Sequence, residues 1–258
     1  FGQINIFLML LVARDFLPKH RLPGIGIGLA AGLKLTPAFL GLVLLFQRRW
    51  WAAGISILTF LATVAVGFWV IPDASDFWMR AIFDSSRVVE HTNPGAQSIR
   101  SLMERESGIE GGILWILAVL IVFALTCVAV YIACKRRNAT VAMALTGISS
   151  CLVSPFSWFH HWVWVLPLLL AILLTVNDWL GQRLKGIFGA QFAGLASFVV
   201  MIIFALPYVA KVAWDGTSYQ RMDDAHSWGA LAFTGTGIIF IACYALTGLL
   251  DAVKKRSA

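Results

Sequence analysis

The sequence predicts an all-α fold: a polytopic transmembrane helical bundle with a broken or re-entrant helix, forming a single transmembrane domain over residues 1–258. Three observations predict it. The chain is 59% hydrophobic and only 13% charged, with a mean hydropathy of +0.81. No soluble domain of this size needs so much apolar surface. The apolar residues also gather into runs, near 2–13, 22–46, 51–71, 112–134, 139–153, 161–176, 188–210 and 229–250. Finally, four of the five basic clusters fall at alternate gaps between the runs, as membrane orientation requires. The chain starts at Phe1, without Met and inside an apolar segment, so it reads as the C-terminal part of a longer protein.

The first run carries a small polar patch, Gly2, Gln3 and Asn5. It reads equally as a polar helix end or as part of a site. The second run, from Leu22 to Phe46, is interrupted by Lys34 and Thr36. A lysine near the middle of such a run costs roughly 2.5–3.5 kcal/mol in lipid. Pro37 lacks an N–H and disfavours helix at Thr36, so the helix is expected to break beside the charge. Backbone groups freed at membrane depth survive only inside protein or beside a polar cavity. A cation at such a break is a good place to hold a phosphate; the plainer alternative is a lysine snorkelling to an interface. Gly24, Gly28 and Gly32 are spaced by four, so they share one helical face that admits a close neighbour. The glycines around Gly26 and Gly28 loosely match a dinucleotide fingerprint, but no strand precedes them.

The clusters Arg48/Arg49, Lys135/Arg136/Arg137, Arg183/Lys185 and Lys254/Lys255/Arg256 fall on one side if each span crosses once. That side is cytoplasmic. Arg14, Lys19 and Arg21 join them only if 22–46 is two half-helices that enter and return, with Lys34 at the tip. The net charge of +7 is then a topology signal and not a nucleic-acid footprint.

An outer loop runs over residues 72–112, long for a mere connection. Short amphipathic helices are expected from Asp76 to Phe83 and from Gln97 to Met103. Arg87 and Arg100 are outer-face cations suited to an anionic headgroup, unless they pair with Glu90 and Glu104. The next polar concentration is Ser154-Pro-Phe-Ser157-Trp158-Phe-His160-His161-Trp162-Val-Trp164. Its tryptophans fit an interfacial aromatic belt. Adjacent histidines on a helix diverge by about 100°, so His160 and His161 make a poor pair of metal ligands. One of them can instead donate to a phosphate or sugar hydroxyl, or carry a proton. The four cysteines show no metal spacing. The last outer loop, Trp214 to Trp228, reads as a solvated turn.

Together these motifs resemble one family. Gly2-Gln3-x-Asn5, then Gly28-Leu-Ala-Ala-Gly-Leu-Lys34-Leu-Thr36-Pro37, then Arg48-Arg49-Trp50, resemble the polyprenol-phosphate-mannose-dependent α-1,2-mannosyltransferases of glycosyltransferase family 87, in the GT-C superfamily. Gln97-Ser98-Ile-Arg100-Ser-Leu resembles that family's Asn-Gln-Ser-Leu-Arg-Gly pattern, with Ala96 for the Asn and Ser101 for the Gly. Ser154-Pro-Phe-Ser157-Trp158-Phe-His160-His161 resembles its Ser-Pro-x-Ser-Trp-x-His-His signature. The likeness runs to about Pro167.

The resemblance implies an inverting, cell-membrane enzyme with an extracytoplasmic active site. The donor would be polyprenyl-phosphate mannose and the acceptor a phosphatidylinositol mannoside or lipoglycan, with membrane lipids as the surroundings. No cofactor, metal or nucleic acid is expected. Lys34, Thr36, Arg100 and Arg87 would hold the donor phosphate. His160 and His161 would be catalytic, and Gln3, Asn5, Gln97, Ser98, Ser154, Ser157 and Trp158 would bind substrate. The general base would be an Asp preceding Phe1, so residues 1–258 alone should be inactive. Rival readings are a transporter or lipid flippase, which broken helices also suit, a non-catalytic membrane subunit, and a transferase of another sugar such as arabinose.

Overall fold

A computed structural model describes residues 3–17, 22–81, 91–93, 95–184, 186–217 and 231–256. Among them the architecture is all-α and polytopic. Five helical segments are long and apolar enough to cross a membrane: Trp50–Val70, Gly112–Lys135, Phe159–Arg183, Gly189–Leu206 and Phe233–Asp251. Their outer faces are apolar, with Trp69 86% and Ile113 74% exposed, as lipid contact requires.

The broken helix at Lys34 is present. Helix α1 (Gln3–Arg14) leads into α2 (Ile25–Leu33), which stops at Lys34 in an extended conformation. A 3-10 turn, Thr36–Leu40, with Pro37 in its first turn, then continues into α3 (Gly41–Phe46) and α4 (Trp50–Val70). Contacts along α2 give its direction. A Cβ on Gly24 would collide with Ala52, one on Gly28 with Ser56 and Thr59, and one on Gly32 with Thr63. So α2 runs parallel to α4 and rises from the same level, and the glycine ridge is what lets the two backbones meet. Since α3 ends just before α4 begins, it must have returned to that level. The segment is therefore a re-entrant hairpin, as the basic clusters had predicted. Asp15 closes its base: the carboxylate accepts from the N–H groups of Gly26 (3.3 Å) and Ile27 (2.7 Å), and Arg49 donates to the Asp15 carbonyl (3.0 Å).

Helix α7 (Gly112–Lys135) descends beside α3, as the ring contacts Phe39–Phe123 and Phe46–Tyr131 show. It brings Lys135, Arg136 and Arg137 down to the end that holds Arg14, Arg48 and Arg49. Helix α8 (Ala139–Val153) rises through the centre, buried along nearly its whole length. Its Thr146 and Ser150 hydroxyls donate to carbonyls within the helix, and Ser149 accepts from Thr126 of α7 at 2.8 Å. A 3-10 turn, Phe159–Trp164, caps the bundle before α9 (Val165–Arg183) descends. Helices α10 (Ile187–Thr217) and α11 (Thr236–Arg256) complete it, α11 tied to α7 by Arg136–Asp251 (2.6 Å).

Two sequence expectations need correction. Trp162 and Trp164 do not form an interfacial belt; they are 3% and 5% exposed. Gly147 and Gly237 leave the hollows these indoles fill, and a Cβ at either glycine would strike the ring. The 161–176 run is not a short span, because the helical segment extends over Phe159–Arg183. Asn177 and Asp178 lowered the local hydropathy without ending the helix.

The outer loop contains short helical segments near both expected places, although Ile82 and Phe83 lie outside the described residues. Ala74–Asp76 (α5) continues as a π-type turn, Phe77–Ala81, and α6 spans Ile99–Ser107. Ser98 caps α6 by accepting from the Ser101 N–H. The loop is fastened to the Ser154–Trp158 segment: the Gln97 N–H donates to Ser157 O (2.6 Å) and the Phe159 N–H to Gly95 O (3.1 Å).

Candidate active site

The hairpin tip meets α1 and the Phe159–Trp164 turn in a small polar cleft lined by Asn5, Lys34, Thr36, Pro37, His161 and Trp164, among others. Three sequence-distant segments supply it, and one side chain joins them. Asn5 accepts from the Lys34 ammonium through Oδ1 (3.0 Å) and donates through Nδ2 to the His160 carbonyl (3.0 Å). The two bonds fix which way the amide points. Asn5 is buried, so α1 is held to the hairpin and to the turn at once.

Lys34 sits where α2 ends. The unpaired carbonyls and the negative end of the helix dipole both favour a cation there. Its nearest polar neighbour is a neutral amide, so its charge is not cancelled by an ion pair within the cleft. Across the cleft, His161 accepts the Trp158 N–H at Nδ1 (3.2 Å). A neutral imidazole that accepts at Nδ1 carries its proton on Nε2. His161 is thus set up as a donor rather than a base. The water-accessible space is about 10 Å³, room for roughly one water. A larger ligand must engage the cleft from its mouth or widen it. The tip lies at the level of Thr63, and α4 continues to Val70, so the cleft is recessed about 10 Å below the end of α4.

The other expected site residues are placed as follows. The His160 ring does not line this cleft; it stacks on Trp158 (6.1 Å between centroids). Trp158 packs on Gly95 and pairs with Ala96 in an isolated bridge. Gln97, Ser98 and Ser157 are buried in the seam between the loop and the bundle, and Ser154 donates to Phe156 O (2.8 Å). Arg100 lies away from the cleft, over the Trp115 ring (5.5 Å) and near Glu104 (3.9 Å). Arg87 and the Gln3 side chain lie outside what the structure describes.

Sequence reasoning missed two positioning groups. One is Asp15, buried at the hairpin base; an acid alone among basic residues just before a glycine-rich helix was its only signal. The other is Arg105, whose guanidinium donates to the carbonyls of Asn93 (3.1 Å) and Ala96 (3.2 Å) and so clamps the loop. Burial keeps His91, in the same loop, less readily protonated than an ordinary histidine, and the nearby Arg100 adds to this.

A helical bundle with five segments long and apolar enough to cross a membrane, and a polar cleft recessed at a helix break, defines a multi-pass membrane protein. The family model of glycosyltransferase family 87 matches residues 1–155, and the chain belongs to that family. Among its relatives, a polyprenol-phosphate-mannose-dependent alpha-(1-2)-phosphatidylinositol pentamannoside mannosyltransferase of Mycobacterium tuberculosis is 30% identical, over 85% of this chain and 53% of its own. A protein of the same name from Mycolicibacterium smegmatis is 32% identical, over 92% and 60%. A phosphatidylinositol mannoside mannosyltransferase of Mycobacterium tuberculosis, dependent on the same donor, is 33% identical, over 78% and 47%. The chain thus spans about half of the curated relatives it matches. No solved structure matches it significantly.

Proposed function

We propose that the protein, in its full length, transfers mannose from polyprenyl-phosphate mannose to a phosphatidylinositol mannoside or related lipoglycan, forming an α-1,2 linkage with inversion. The observation that carries this reading is the Lys34 ammonium, held at the helix break by Asn5 with the His161 donor in the same cleft. Family membership and the names of the relatives support the choice of donor and acceptor.

The chemistry suits these groups. As the acceptor hydroxyl attacks the anomeric carbon, the phosphodiester leaves as a phosphomonoester and gains negative charge. Lys34 and the His161 Nε2–H stabilise that charge without reorganising. Among the described residues that line the cleft there is no carboxylate to take the acceptor proton, and the reading assigns that proton to a base outside them. The reading needs no cofactor besides the donor. The cleft lies at the hairpin tip, the end of the hairpin away from Arg14, Arg48 and Arg49, which supports an extracytoplasmic site in the cell membrane.

The test is transfer of radiolabelled mannose from polyprenyl-phosphate mannose in membranes carrying the full-length gene, the Lys34→Met variant, or neither. Incorporation into glycolipid with the intact gene alone supports the proposal. Equal incorporation from all three overturns it, and donor uptake without transfer would favour a flippase.

A further inference from the structure

The hairpin has a second face. On the side away from the polar cleft, its two arms, α4 and α7 enclose an apolar cavity of about 350 Å³. Ala31, Phe39, Leu45, Ala53, Ile57 and Phe123 supply its main walls. No residue lines both this cavity and the cleft; Thr36 and Pro37 face one, Ala38 and Phe39 the other. The hairpin is therefore a partition. Leu45 and Ile57, at the rim, are exposed on the lipid-facing exterior. Even an apolar cavity of about 150 Å³ stays dry and takes up a hydrocarbon. This one is larger and opens on hydrocarbon.

The lower end of the cavity has a different chemistry. The Arg48 N–H donates to Leu45 O (2.9 Å), which sets Arg48 one turn below the rim. Arg48 is exposed and its φ of 56° is left-handed. Trp50 stands on the same face of α4 as Ala53 and Ile57, by three- and four-residue spacing, and is 65% exposed. A guanidinium and an indole at the edge of an apolar slot match a phosphate headgroup above an acyl chain.

We propose that this cavity binds one acyl chain of an anionic glycerophospholipid from the leaflet at the basic end, with its phosphate on Arg48. The lipid props the back of the hairpin whose tip carries Lys34. The site is independent of what the cleft does.

Two substitutions separate its halves. Gly41 lines the cavity, has a right-handed φ of −56°, and would meet nothing within 4 Å on gaining a Cβ. Gly41→Leu therefore puts a side chain into the slot from a position where its Cβ meets no neighbour. Arg48→Gly removes the cation at a position whose backbone glycine prefers. The full-length protein is purified in mild detergent and placed in phosphatidylglycerol or phosphatidylcholine nanodiscs. After re-extraction, bound lipid is measured by mass spectrometry. Wild type is expected to retain phosphatidylglycerol over phosphatidylcholine. Arg48→Gly should lower that retention about fivefold, the worth of one cation at an anionic surface, and Arg48→Lys should restore it. Gly41→Leu should lower retention of either lipid by about fourfold for each methylene displaced. Unchanged retention in both variants overturns the proposal. So does equal retention of the two lipids by wild type, or loss of the retained phosphatidylglycerol with Lys34→Met but not with Arg48→Gly.

Discussion

At the level of single residues, the choice of Asn5 as the partner of Lys34 is informative. An aspartate there would pair with the ammonium and cancel the charge on which the proposed phosphate contact depends. It would also lose the donor that Asn5 offers to His160 O. Asn5→Asp in the full-length enzyme is therefore expected to lower mannose transfer by about tenfold or more through weakened charge stabilisation. Lys34→Met and His161→Ala should each cost ~10²-fold, as lost transition-state donors do. Near-normal turnover in either variant would remove that residue from the site. His91 gives a pH signature. Its pKa in the fold lies below the ordinary value, so the unfolded chain binds the proton more readily. Stability is then full above the ordinary histidine range and is lost as pH falls through it. The thermal midpoint of the purified protein should drop between neutral and mildly acidic pH, and His91→Phe should flatten that drop.

At the level of elements, the hairpin places Arg14 and Arg48 on one side of the bilayer. Cysteines introduced at both positions should label from the same side; labelling from opposite sides would refute the re-entrant path. The ridge against α4 has little slack. Gly32→Leu would drive a side chain into Thr63 and should cost roughly 1–3 kcal/mol or more, read as a lower thermal midpoint. Asp15→Ala would leave the Gly26 and Ile27 N–H groups without their buried acceptor, at a cost of about 2 kcal/mol. These elements also show what a sequence can and cannot display. The break at Lys34 was legible because a charge followed by proline stands out in an apolar run. The glycine ridge was legible from its spacing. The fates of Trp162 and Trp164 were not, because the hollows that bury them come from Gly147 and Gly237 on other helices. Asp15 was hidden for a similar reason: its partners are backbone amides, which have no signature of their own.

At the level of the whole molecule, charge and polarity separate along the bundle axis. Arg14, Arg48, Arg49 and the Lys135–Arg137 cluster mark one end, while the cleft and the clamped loop occupy the other half. Composition announced the bundle, and basic clusters announced its sidedness. The assembly of the cleft from α1, the hairpin tip and the Phe159–Trp164 turn was not visible, since contacts between distant segments leave no local pattern. The motif likeness named those segments without saying which of their side chains meet. Of the expected residues, the structure gathers Asn5, Lys34, Thr36 and His161 and sends Arg100 elsewhere.

That arrangement has a consequence for how the protein is made. Neither arm of the hairpin is long enough to cross a bilayer, and its tip carries a charge. The helix that walls the tip from behind, α8, leaves the ribosome long after the hairpin does. The hairpin therefore cannot settle into lipid when it emerges. It must wait, sheltered beside its earlier neighbour or within the insertion machinery, until the later helices arrive to enclose it.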